Sequence, residues 1–468
     1  MSDPSFNRQA VQVFHFVRCE FSADSGEARL VYAFDDGPEL VETIRFPAAP
    51  YTLDAERQQA ARQALQLLHL IAGVSYYKAA VPPRIAIDSY AINADCAALL
   101  TEIYENGLGE FAYRNNLTLR GKIHFPHTAH VGAASAAMPF ARSIAAKAAP
   151  TTAPTTSHAL VAIGGGKDSL VSIEALRQAG VQQTVTWIGS SPLIKACAER
   201  TGLPMLNIGR SLAPALFEMN KQGALNGHIP VTAVNSAILI LAALLHDADQ
   251  VVFSNERSAS YGSLIPGTGE VNHQWSKGWD CERDLARYVR EHVAKDLNYF
   301  SLLRPFSELA VARQFARIDH YDAYFSSCNR NFHLLGERPA QRWCGACPKC
   351  HFVFLALAPF MPKPRLMAIF GRNLLDEPEQ AAGFDALLEY QDHKPFECVG
   401  EGRESRAAMA ALAALPTWRE DALVARFAEE IRPLLDAGDL LLAPLLEASD
   451  DHGIPPALWG PLLENFRA

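Results

Sequence analysis

The sequence of 468 residues has no long apolar run and no excess of basic charge. Its longest apolar stretch, residues 237–245, is far shorter than the ~20 residues that cross a bilayer, so we expect a buried helix and no membrane partner. The formal net charge of −9 gives no overall attraction to a nucleic-acid backbone. Residues 1–12 are polar and mixed, unlike a secretory leader. These absences favour a cytoplasmic protein whose ligand is a small molecule.

Cysteine is sparse, and its placement is uneven. Five of the nine cysteines stand alone in the sequence: Cys19, Cys96, Cys197, Cys281 and Cys398. The other four crowd into 23 residues: Cys328, Cys344, Cys347 and Cys350. In a reducing compartment such crowding indicates a metal site rather than disulfides. Four thiolates suit a closed tetrahedral Zn²⁺ site with a structural role, while an iron–sulfur cluster and buried unliganded thiols are the alternatives.

Composition divides the chain into four parts. Residues 1–142 carry three alternating apolar runs and then an amphipathic helix capped by Asp54, which predicts an antiparallel meander within an α+β domain. Residues 143–157 are almost entirely Ala, Thr and Pro, which is typical of a linker. Residues 158–360 form the next predicted domain, and residues 361–468, with Ala, Leu and Glu at helical spacing, a helical C-terminal region.

Residues 158–360 begin with short apolar runs that alternate with helical segments. Runs at residues 159–163, 184–188, 205–208 and 251–253 have the length and composition of buried strands. Strand–helix alternation at this spacing predicts an α/β fold with a doubly wound parallel sheet. In such a sheet, ligands bind beyond the carboxyl ends of the strands.

A glycine-rich loop directly follows the first of these strands. Its residues are Gly164, Gly165, Gly166, Lys167, Asp168 and Ser169. Without Cβ atoms in the way, the backbone N–H groups can point at a phosphate, and the start of the next helix adds partial positive charge. Lys167 can supply a full charge, Ser169 a hydroxyl donor, and Asp168 a ligand for Mg²⁺. A glycine-rich turn without a ligand is the alternative.

The spacing of this loop fits neither the Walker motif nor the dinucleotide motif. It resembles instead the Ser-Gly-Gly-x-Asp-Ser loop of the ATP pyrophosphatases, in which Gly164 stands at the position of the serine. That resemblance implies that the loop holds the terminal phosphates of ATP, while AMP is transferred to a substrate and pyrophosphate leaves. The Cys cluster is similar to that of other pyrophosphatase-loop enzymes, the 7-cyano-7-deazaguanine synthases among them.

Other polar residues follow the neighbouring strands and should surround the nucleotide. They are Gly189, Ser190, Arg210 and Asn255. The stretch from residue 255 to residue 279 then mixes acids, bases, amides and tryptophans, as a substrate pocket does. Arg257 and Arg210 are candidate clamps for a carboxylate or a phosphate, because a guanidinium fork matches both. An ordinary solvated loop is the alternative for this stretch.

Six blocks of sequence extend the resemblance to a specific family. These blocks are residues 73–78, 107–115, 163–169, 253–258, 271–277 and 327–330. They resemble the bacterial UDP-N-acetyl-α-D-muramoyl-L-alanyl-L-glutamate epimerases. The resemblance implies an ATP-dependent isomerase of peptidoglycan synthesis that inverts the terminal L-Glu of a nucleotide-sugar dipeptide. Adenylating the carboxylate removes its charge, so that a base can take the α-hydrogen and an acid can return a proton on the other face.

The candidate acid–base residues are His273, Lys277, Glu256 and Tyr261. Residues of the first domain that could hold the nucleotide-sugar are Tyr76, Lys78 and Asn115, with a packed tyrosine as the alternative for the first. Two other functions remain open from the residues alone. One is a synthetase or transferase that adenylates another carboxylate or a base, and the other is a non-catalytic binding module held by zinc.

Overall fold

A computed structural model describes residues 6–128, 157–265, 268–332, 339–391 and 394–467. Most of the predicted linker, residues 143–156, lies outside the described residues. The strands are β1 (Val13–Ser22), β2 (Glu27–Phe34), β3 (Leu40–Arg45), β4 (Arg84–Ile87), β5 (His158–Ala162), β6 (Gln182–Ile188), β7 (Met205–Ser211), β8 (Gln250–Phe253), β9 (Ser263–Ile265), β10 (Gly269–Val271) and β11 (Asn298–Ser301).

Ten α-helices of the first two thirds of the chain accompany these strands. They are α1 (Ala55–Ala72), α2 (Val74–Tyr77), α3 (Ala94–Gly107), α4 (Gly109–Arg114), α5 (Lys167–Gln178), α6 (Pro192–Thr201), α7 (Pro214–Lys221), α8 (Val231–Leu245), α9 (Trp279–Tyr288) and α10 (Glu308–Phe315). The remaining helices are α11 (Asn329–Phe332), α12 (Pro348–Leu357), α13 (Lys363–Phe370), α14 (Ala381–Leu388), α15 (Gly402–Ala413), α16 (Ala422–Arg426) and α17 (Pro456–Arg467).

Five strands form the parallel half of the sheet, in the order β7-β6-β5-β8-β11. The chain starts at β5, builds outward to β7, and then returns to the other side of β5 to add β8 and β11. The strand order therefore reverses between β5 and β8, and a parallel sheet binds its ligands at the carboxyl ends beside such a reversal. The predicted α/β class is confirmed, and so is each of the four predicted parallel strands.

Both faces of the parallel half are covered, as a near-continuous apolar strand requires. Leu160 of β5 belongs to one hydrophobic cluster, with α1 and α8, whereas Val161 belongs to another, with α5 and α10. Val251 and Val252 of β8 divide between the same two clusters. Among the described residues, no helix is both long enough and apolar enough to span a membrane.

The predicted meander is present, but it is not a separate sheet. β1, β2 and β3 pair antiparallel, and β4 adds to β1 in parallel. β3 then pairs antiparallel with β7, so that all nine strands form one mixed sheet in the order β11-β8-β5-β6-β7-β3-β2-β1-β4. This corrects the expectation of a wholly parallel sheet, because the edge of β7 is completed by a strand from the N-terminal part. Where the folding units begin and end stays a prediction.

A buried ion pair spans the junction between the two halves of the sheet. Arg210 of β7 lies opposite Ile44 of β3, and its Nε donates to Oε1 of Glu42 at 2.7 Å. Its Nη2 donates to Oγ of Ser75 at 3.1 Å, and the Glu42 side chain is fully buried. Arg210 therefore joins the sheet halves in this structure, with its guanidinium bound to Glu42 and Ser75, and its role as a clamp stays a prediction.

Removing one member of this pair should leave an unpaired charge in the sheet. We expect Arg210→Met to lower the free energy of unfolding by about 3–5 kcal/mol, because the Glu42 carboxylate stays buried without its partner. The double variant Glu42→Leu/Arg210→Met should recover most of that loss, since a buried pair can be replaced by apolar groups at little net cost. Urea unfolding of the two variants checks this, and an equal loss in both would contradict it.

Candidate functional site

The glycine-rich loop connects β5 to α5 at the carboxyl edge of the parallel strands. Gly165 has φ +79°, a left-handed conformation that favours glycine, and Gly164 is exposed with open space around it. A segment near the Cys cluster braces this loop. Ser326 donates its backbone N–H to the carbonyl of Gly165 at 2.9 Å, and a Cβ on Gly166 would lie 3.3 Å from that of Ser327. The loop therefore has little freedom to accept side chains.

The first turn of α5 carries a buried ionic network. The ammonium group of Lys167 is 1% exposed and binds the carboxylates of both Asp168 and Glu308. Burial would lower the pKa of Lys167, but these carboxylates raise it above its usual value. Burial would likewise raise the pKa of Asp168, yet the charges of Lys167 and Lys349 lower it. Asp168 is thus held as a partly exposed carboxylate beside the loop, as an Mg²⁺ ligand must be.

The hydroxyl of Ser169 is engaged within the loop. Its Oγ donates to the carbonyl of Gly166 at 3.1 Å, which fixes the start of α5 rather than leaving the hydroxyl directed outward. At the end of β6, Gly189 adopts φ +91° and Ser190 is exposed, so both remain accessible beside the loop. The carboxyl edge of the sheet therefore keeps an open surface at the place predicted for the nucleotide.

The segment after β8 brings a second carboxylate toward the loop. Asn255 is buried and donates to Oγ of Ser301 at 3.0 Å, so it supports the segment from within. Glu256 is also buried, and burial together with the like charges of Glu308 and Asp168 raises its pKa to about 7. A carboxyl group that titrates near neutrality can both accept and donate a proton.

The charge of Lys277 acts on Glu256, and Lys277 belongs to a cluster with Cys398, a residue that the sequence did not predict for the site. Nζ of Lys277 donates to Sγ of Cys398 at 3.1 Å, and the imidazole of His273 lowers the pKa of the same thiol. Nδ1 of His273 is hydrogen-bonded to Oε2 of Glu110, and the ring of His228 lies 4.1 Å from that of His273. A lone cysteine gives no signal in the sequence when its partners lie more than a hundred residues away.

The N-terminal part of the chain reaches this cluster through α4 and the loop before α8. Nζ of Lys78 donates to Oδ1 of Asn226 at 2.6 Å, and Nδ2 of Asn115 donates to the carbonyl of the same residue at 3.2 Å. Burial lowers the pKa of Lys78 to about 8. Since His228 lies two residues further on, the predicted substrate residues Lys78 and Asn115 are brought to the edge of the His273 cluster.

Three predicted site residues lie elsewhere. Tyr76 is fully buried, stacks on Tyr32 with ring centroids 4.7 Å apart, and accepts a hydrogen bond from the backbone N–H of Ala213. It is a core residue in this structure, which gives no support to a contact with substrate. Tyr261 is half exposed, and it lines a small separate pocket with Arg257, whose guanidinium donates to backbone carbonyls near residue 446.

The four clustered cysteines converge on one point, ahead of and within the first turn of α12. Their sulfur atoms all lie within 4.8 Å of one another, with Sγ of Cys350 at 3.7 Å from that of Cys344 and 3.5 Å from that of Cys347. A tetrahedral ion with Zn–S bonds of about 2.3 Å places its sulfurs roughly 3.8 Å apart. An iron–sulfur cluster distributes four thiolates over two or four irons and so spreads them further. The donor set therefore fits a single metal ion.

One cavity of the described residues lies apart from this site. It is about 630 Å³ and lies between Asp54 at the start of α1 and residues 290–297, beside Asp249, which precedes β8. It therefore opens at the amino ends of the parallel strands, opposite to the glycine-rich loop. Ligands of parallel sheets bind at the carboxyl ends, so the loop remains the better candidate.

Comparison with known proteins agrees with the arrangement of these residues. The family model described as MurL N-terminal domain matches residues 5–302, and the one described as MurL C-terminal domain matches residues 324–439. A protein of Xanthomonas oryzae pv. oryzae, named UDP-N-acetyl-alpha-D-muramoyl-L-alanyl-L-glutamate epimerase, is 67% identical over 462 residues, which cover 99% of each chain. The chain belongs to this epimerase family. It is therefore an enzyme of the isomerase class.

Two further relatives carry the same epimerase name at greater distance. One from Salinispora tropica is 41% identical and covers 92% of this chain and 91% of its own. One from a Micromonospora species is also 41% identical and covers 97% of this chain and 98% of its own. The candidate site of this epimerase draws on both family regions, because the loop, Glu110 and His273 lie in the first and Cys398 lies in the second.

Proposed function

We propose that the enzyme converts the terminal L-Glu of UDP-MurNAc-L-Ala-L-Glu to D-Glu in the synthesis of peptidoglycan precursors. The relative from Xanthomonas oryzae, which matches this chain over its whole length, carries the name of that reaction. The substrate is a nucleotide-sugar dipeptide, and we place the reaction in the cytoplasm. The α-hydrogen of glutamate is very weakly acidic while its carboxylate is charged, so the reaction needs activation before proton transfer.

We infer that ATP provides this activation, and the glycine-rich loop is the observation that carries the inference. It lies where the strand order reverses, at the N-terminus of α5, whose first N–H groups have no partner within the helix. In the proposed reaction, a carboxylate oxygen of the substrate attacks the α-phosphorus of ATP. An acyl adenylate forms, and pyrophosphate leaves from the loop. This chemistry groups the domain with the ATP pyrophosphatases.

The residues of the loop have different roles in the proposed reaction. Gly164, Gly165 and Gly166 offer backbone N–H groups to the terminal phosphates, while Asp168 provides the carboxylate for Mg²⁺ that neutralises their charge. Lys167 keeps Asp168 ionised and oriented through their ion pair, and it does so from a buried position. Gly189, Ser190 and Asn255 border the space left for the nucleoside.

Adenylation makes the α-hydrogen removable. A base takes the proton from one face, the electron pair is stabilised by the adenylated carbonyl, and an acid returns a proton to the other face. Water then cleaves the adenylate to AMP and the D-glutamyl product. His273, Lys277 and Glu256 lie in or beside one cluster that can hold these protons, whereas Tyr261 lines another pocket.

We also propose that the Cys cluster holds a structural Zn²⁺ ion. The sulfur–sulfur distances and the absence of a fifth donor in the group support a closed four-thiolate site among the described residues. His351, which follows the last cysteine, is engaged elsewhere, because its Nε2 is hydrogen-bonded to Oε1 of Gln380 at 2.9 Å. The ion would tie residue 328 to the start of α12.

A single experiment tests the proposed reaction. Purified protein is mixed with ATP, Mg²⁺ and UDP-MurNAc-L-Ala-L-Glu in D₂O. We expect AMP and pyrophosphate, deuterium at the glutamyl α-carbon, and a D-configured product. Consumption of ATP without entry of deuterium would favour a synthetase or transferase instead. Failure to release pyrophosphate under any of these conditions would favour a binding module.

A further inference from the structure

Cys398 has an environment that no other lone cysteine of this chain shares. Nζ of Lys277 donates to its sulfur at 3.1 Å, and the imidazole of His273 interacts with the same thiol and lowers its pKa. Glu110 binds the other side of the imidazole through Nδ1 of His273. The arrangement is a thiol, an imidazole and a carboxylate in series, with an ammonium group added at the sulfur.

The neighbouring charges and hydrogen bonds set the pKa values of Cys398 and His273. Burial would raise the pKa of Cys398, but the charge of Lys277 and the hydrogen bond with His273 lower it to about 5. Burial would lower the pKa of His273, whereas its hydrogen bonds with Cys398 and Glu110 raise it to about 9. At neutral pH the sulfur is therefore a thiolate, and both groups that hold it carry protons.

The other lone cysteines show what burial does without such partners. Burial raises the pKa to about 12 at each of Cys19, Cys96, Cys197 and Cys281. Those side chains are fully buried, while Cys398 is partly exposed and can meet a ligand. A thiolate without a covalent partner, reachable from solvent and stabilised by two cations, is the arrangement of a reactive cysteine and not of a packing residue.

Cys398 is also connected to the glycine-rich loop. Lys349 donates to the backbone carbonyl of Cys398, and its Nζ lies 3.7 Å from Oε1 of Glu308. The other oxygen of Glu308 binds Lys167 in the first turn of α5. Two ion pairs therefore link the backbone of Cys398, through Lys349 and Glu308, to the first turn of α5. The charge of Lys277 lowers the pKa of both Asp168 and Cys398, so the sulfur and the carboxylate of the loop border the same ammonium group.

We propose that Cys398 is one of the two acid–base residues of the epimerisation, with Lys277 and His273 as the residues that position its thiolate. The proposal rests on the proposed function, since it assigns a step of that reaction. The α-C–H bond breaks, the proton forms an S–H bond with Cys398, and the electron pair moves into the adenylated carbonyl. A second acid protonates the opposite face, and both groups exchange protons with water before the next turnover.

The same geometry argues against Lys277 and His273 as the base itself. Lys277 already donates to the sulfur, and the carboxylates and thiolate around Lys277 and His273 raise the pKa of each above its usual value. A group that holds its proton at neutral pH cannot remove another. Glu256, whose pKa lies at about 7, remains free to serve the opposite face.

The test separates activation from proton transfer. Cys398→Ser is compared with Cys19→Ser, which makes the same change at a buried thiol of β1. We expect Cys398→Ser to keep substrate-dependent pyrophosphate release within about threefold of the unmodified enzyme. We expect α-deuterium entry and D-product to fall by roughly 10³-fold, within the range of general acid–base effects. The control should change neither. Epimerisation within tenfold of the unmodified enzyme, or equal loss of both activities, would overturn the proposal.

A second measurement does not depend on turnover. Iodoacetamide alkylation of the Cys398 peptide, followed by mass spectrometry across pH, should report a thiolate down to about pH 5. Lys277→Met should shift that profile upward by at least one pH unit, and UDP-MurNAc-L-Ala-L-Glu with ATP should slow the labelling. A profile at the pH of an ordinary thiol, about 8.5, would overturn the proposal. Enzyme that shows the low profile but releases no pyrophosphate would instead refute the proposed use of ATP.

Discussion

Asp168→Asn should reduce substrate-dependent pyrophosphate release by about 10³-fold while the protein stays folded. The carboxylate is the residue of the loop that is both ionised and partly exposed, so its loss removes the proposed ligand of the metal that neutralises the phosphates. Lys167 keeps its ion pair with Glu308 in this variant, and the buried ammonium is therefore not left without a partner. Pyrophosphate release at saturating ATP measures the effect.

The matched control for this variant is Asp88→Asn. It makes the same isosteric change just beyond β4, the edge strand at the opposite end of the sheet from β11. The Asp88 side chain is 40% exposed and contacts His15, so neither activity nor stability should change appreciably. If Asp168→Asn retains release within tenfold of the unmodified enzyme, the loop does not hold the metal–phosphate group in the proposed way.

Cys350→Ser should remove one equivalent of zinc per chain and strongly destabilise the region around α12. The cysteine is fully buried and lies within 3.7 Å of two other sulfurs of the cluster, so its loss leaves only three thiolates for the ion. Structural zinc sites contribute on the order of 10 kcal/mol of binding energy to folding, and we expect a loss of at least about 5 kcal/mol. Zinc content and denaturant unfolding measure the two effects.

Cys281→Ser provides the comparison for that variant. It replaces another buried thiol with a hydroxyl but lies in α9, outside the cluster, so zinc content should stay unchanged. The buried hydroxyl should cost about 1–3 kcal/mol. Purified protein that contains iron with a visible absorbance band, or four alkylated thiols without any loss of stability, would contradict the assignment of zinc.

Much of the parallel half of the sheet could be predicted because its signals are local. A short apolar run, three glycines and a helical period lie within thirty residues, and they place β5, the loop and α5 to within a residue or two. The cap of α1 is equally local, since the side chain of Asp54 accepts the N–H of Arg57 at 2.8 Å. β11, with four residues and one exposed end, carried too weak a pattern to be recognised.

The rest depended on contacts between distant residues. Ile44 of β3 pairs with Arg210 of β7. The sequence pattern of each segment predicts a strand but not its partner, so the mixed sheet could not be predicted. Cys398 and Glu308 could not be recognised as site residues for the same reason. Cys398 is 121 residues from its partner Lys277, and Glu308 is 141 residues from Lys167. The Cys cluster was visible because its spacing is itself the signal.

The hydrogen bond from Ser326 to Gly165 connects the glycine-rich loop to the Cys cluster, so zinc supply should affect ATP binding. Ser326 donates its backbone N–H to the carbonyl of Gly165, and only one residue, Ser327, separates it from Cys328, the first cysteine of the cluster. If the cluster holds the proposed zinc, a shortage of the metal would release this short segment, while the nine strands of the sheet would keep their hydrogen bonds. Enzyme produced without sufficient zinc should therefore keep its sheet but bind ATP more weakly. Zinc limitation would then first slow the proposed adenylation step.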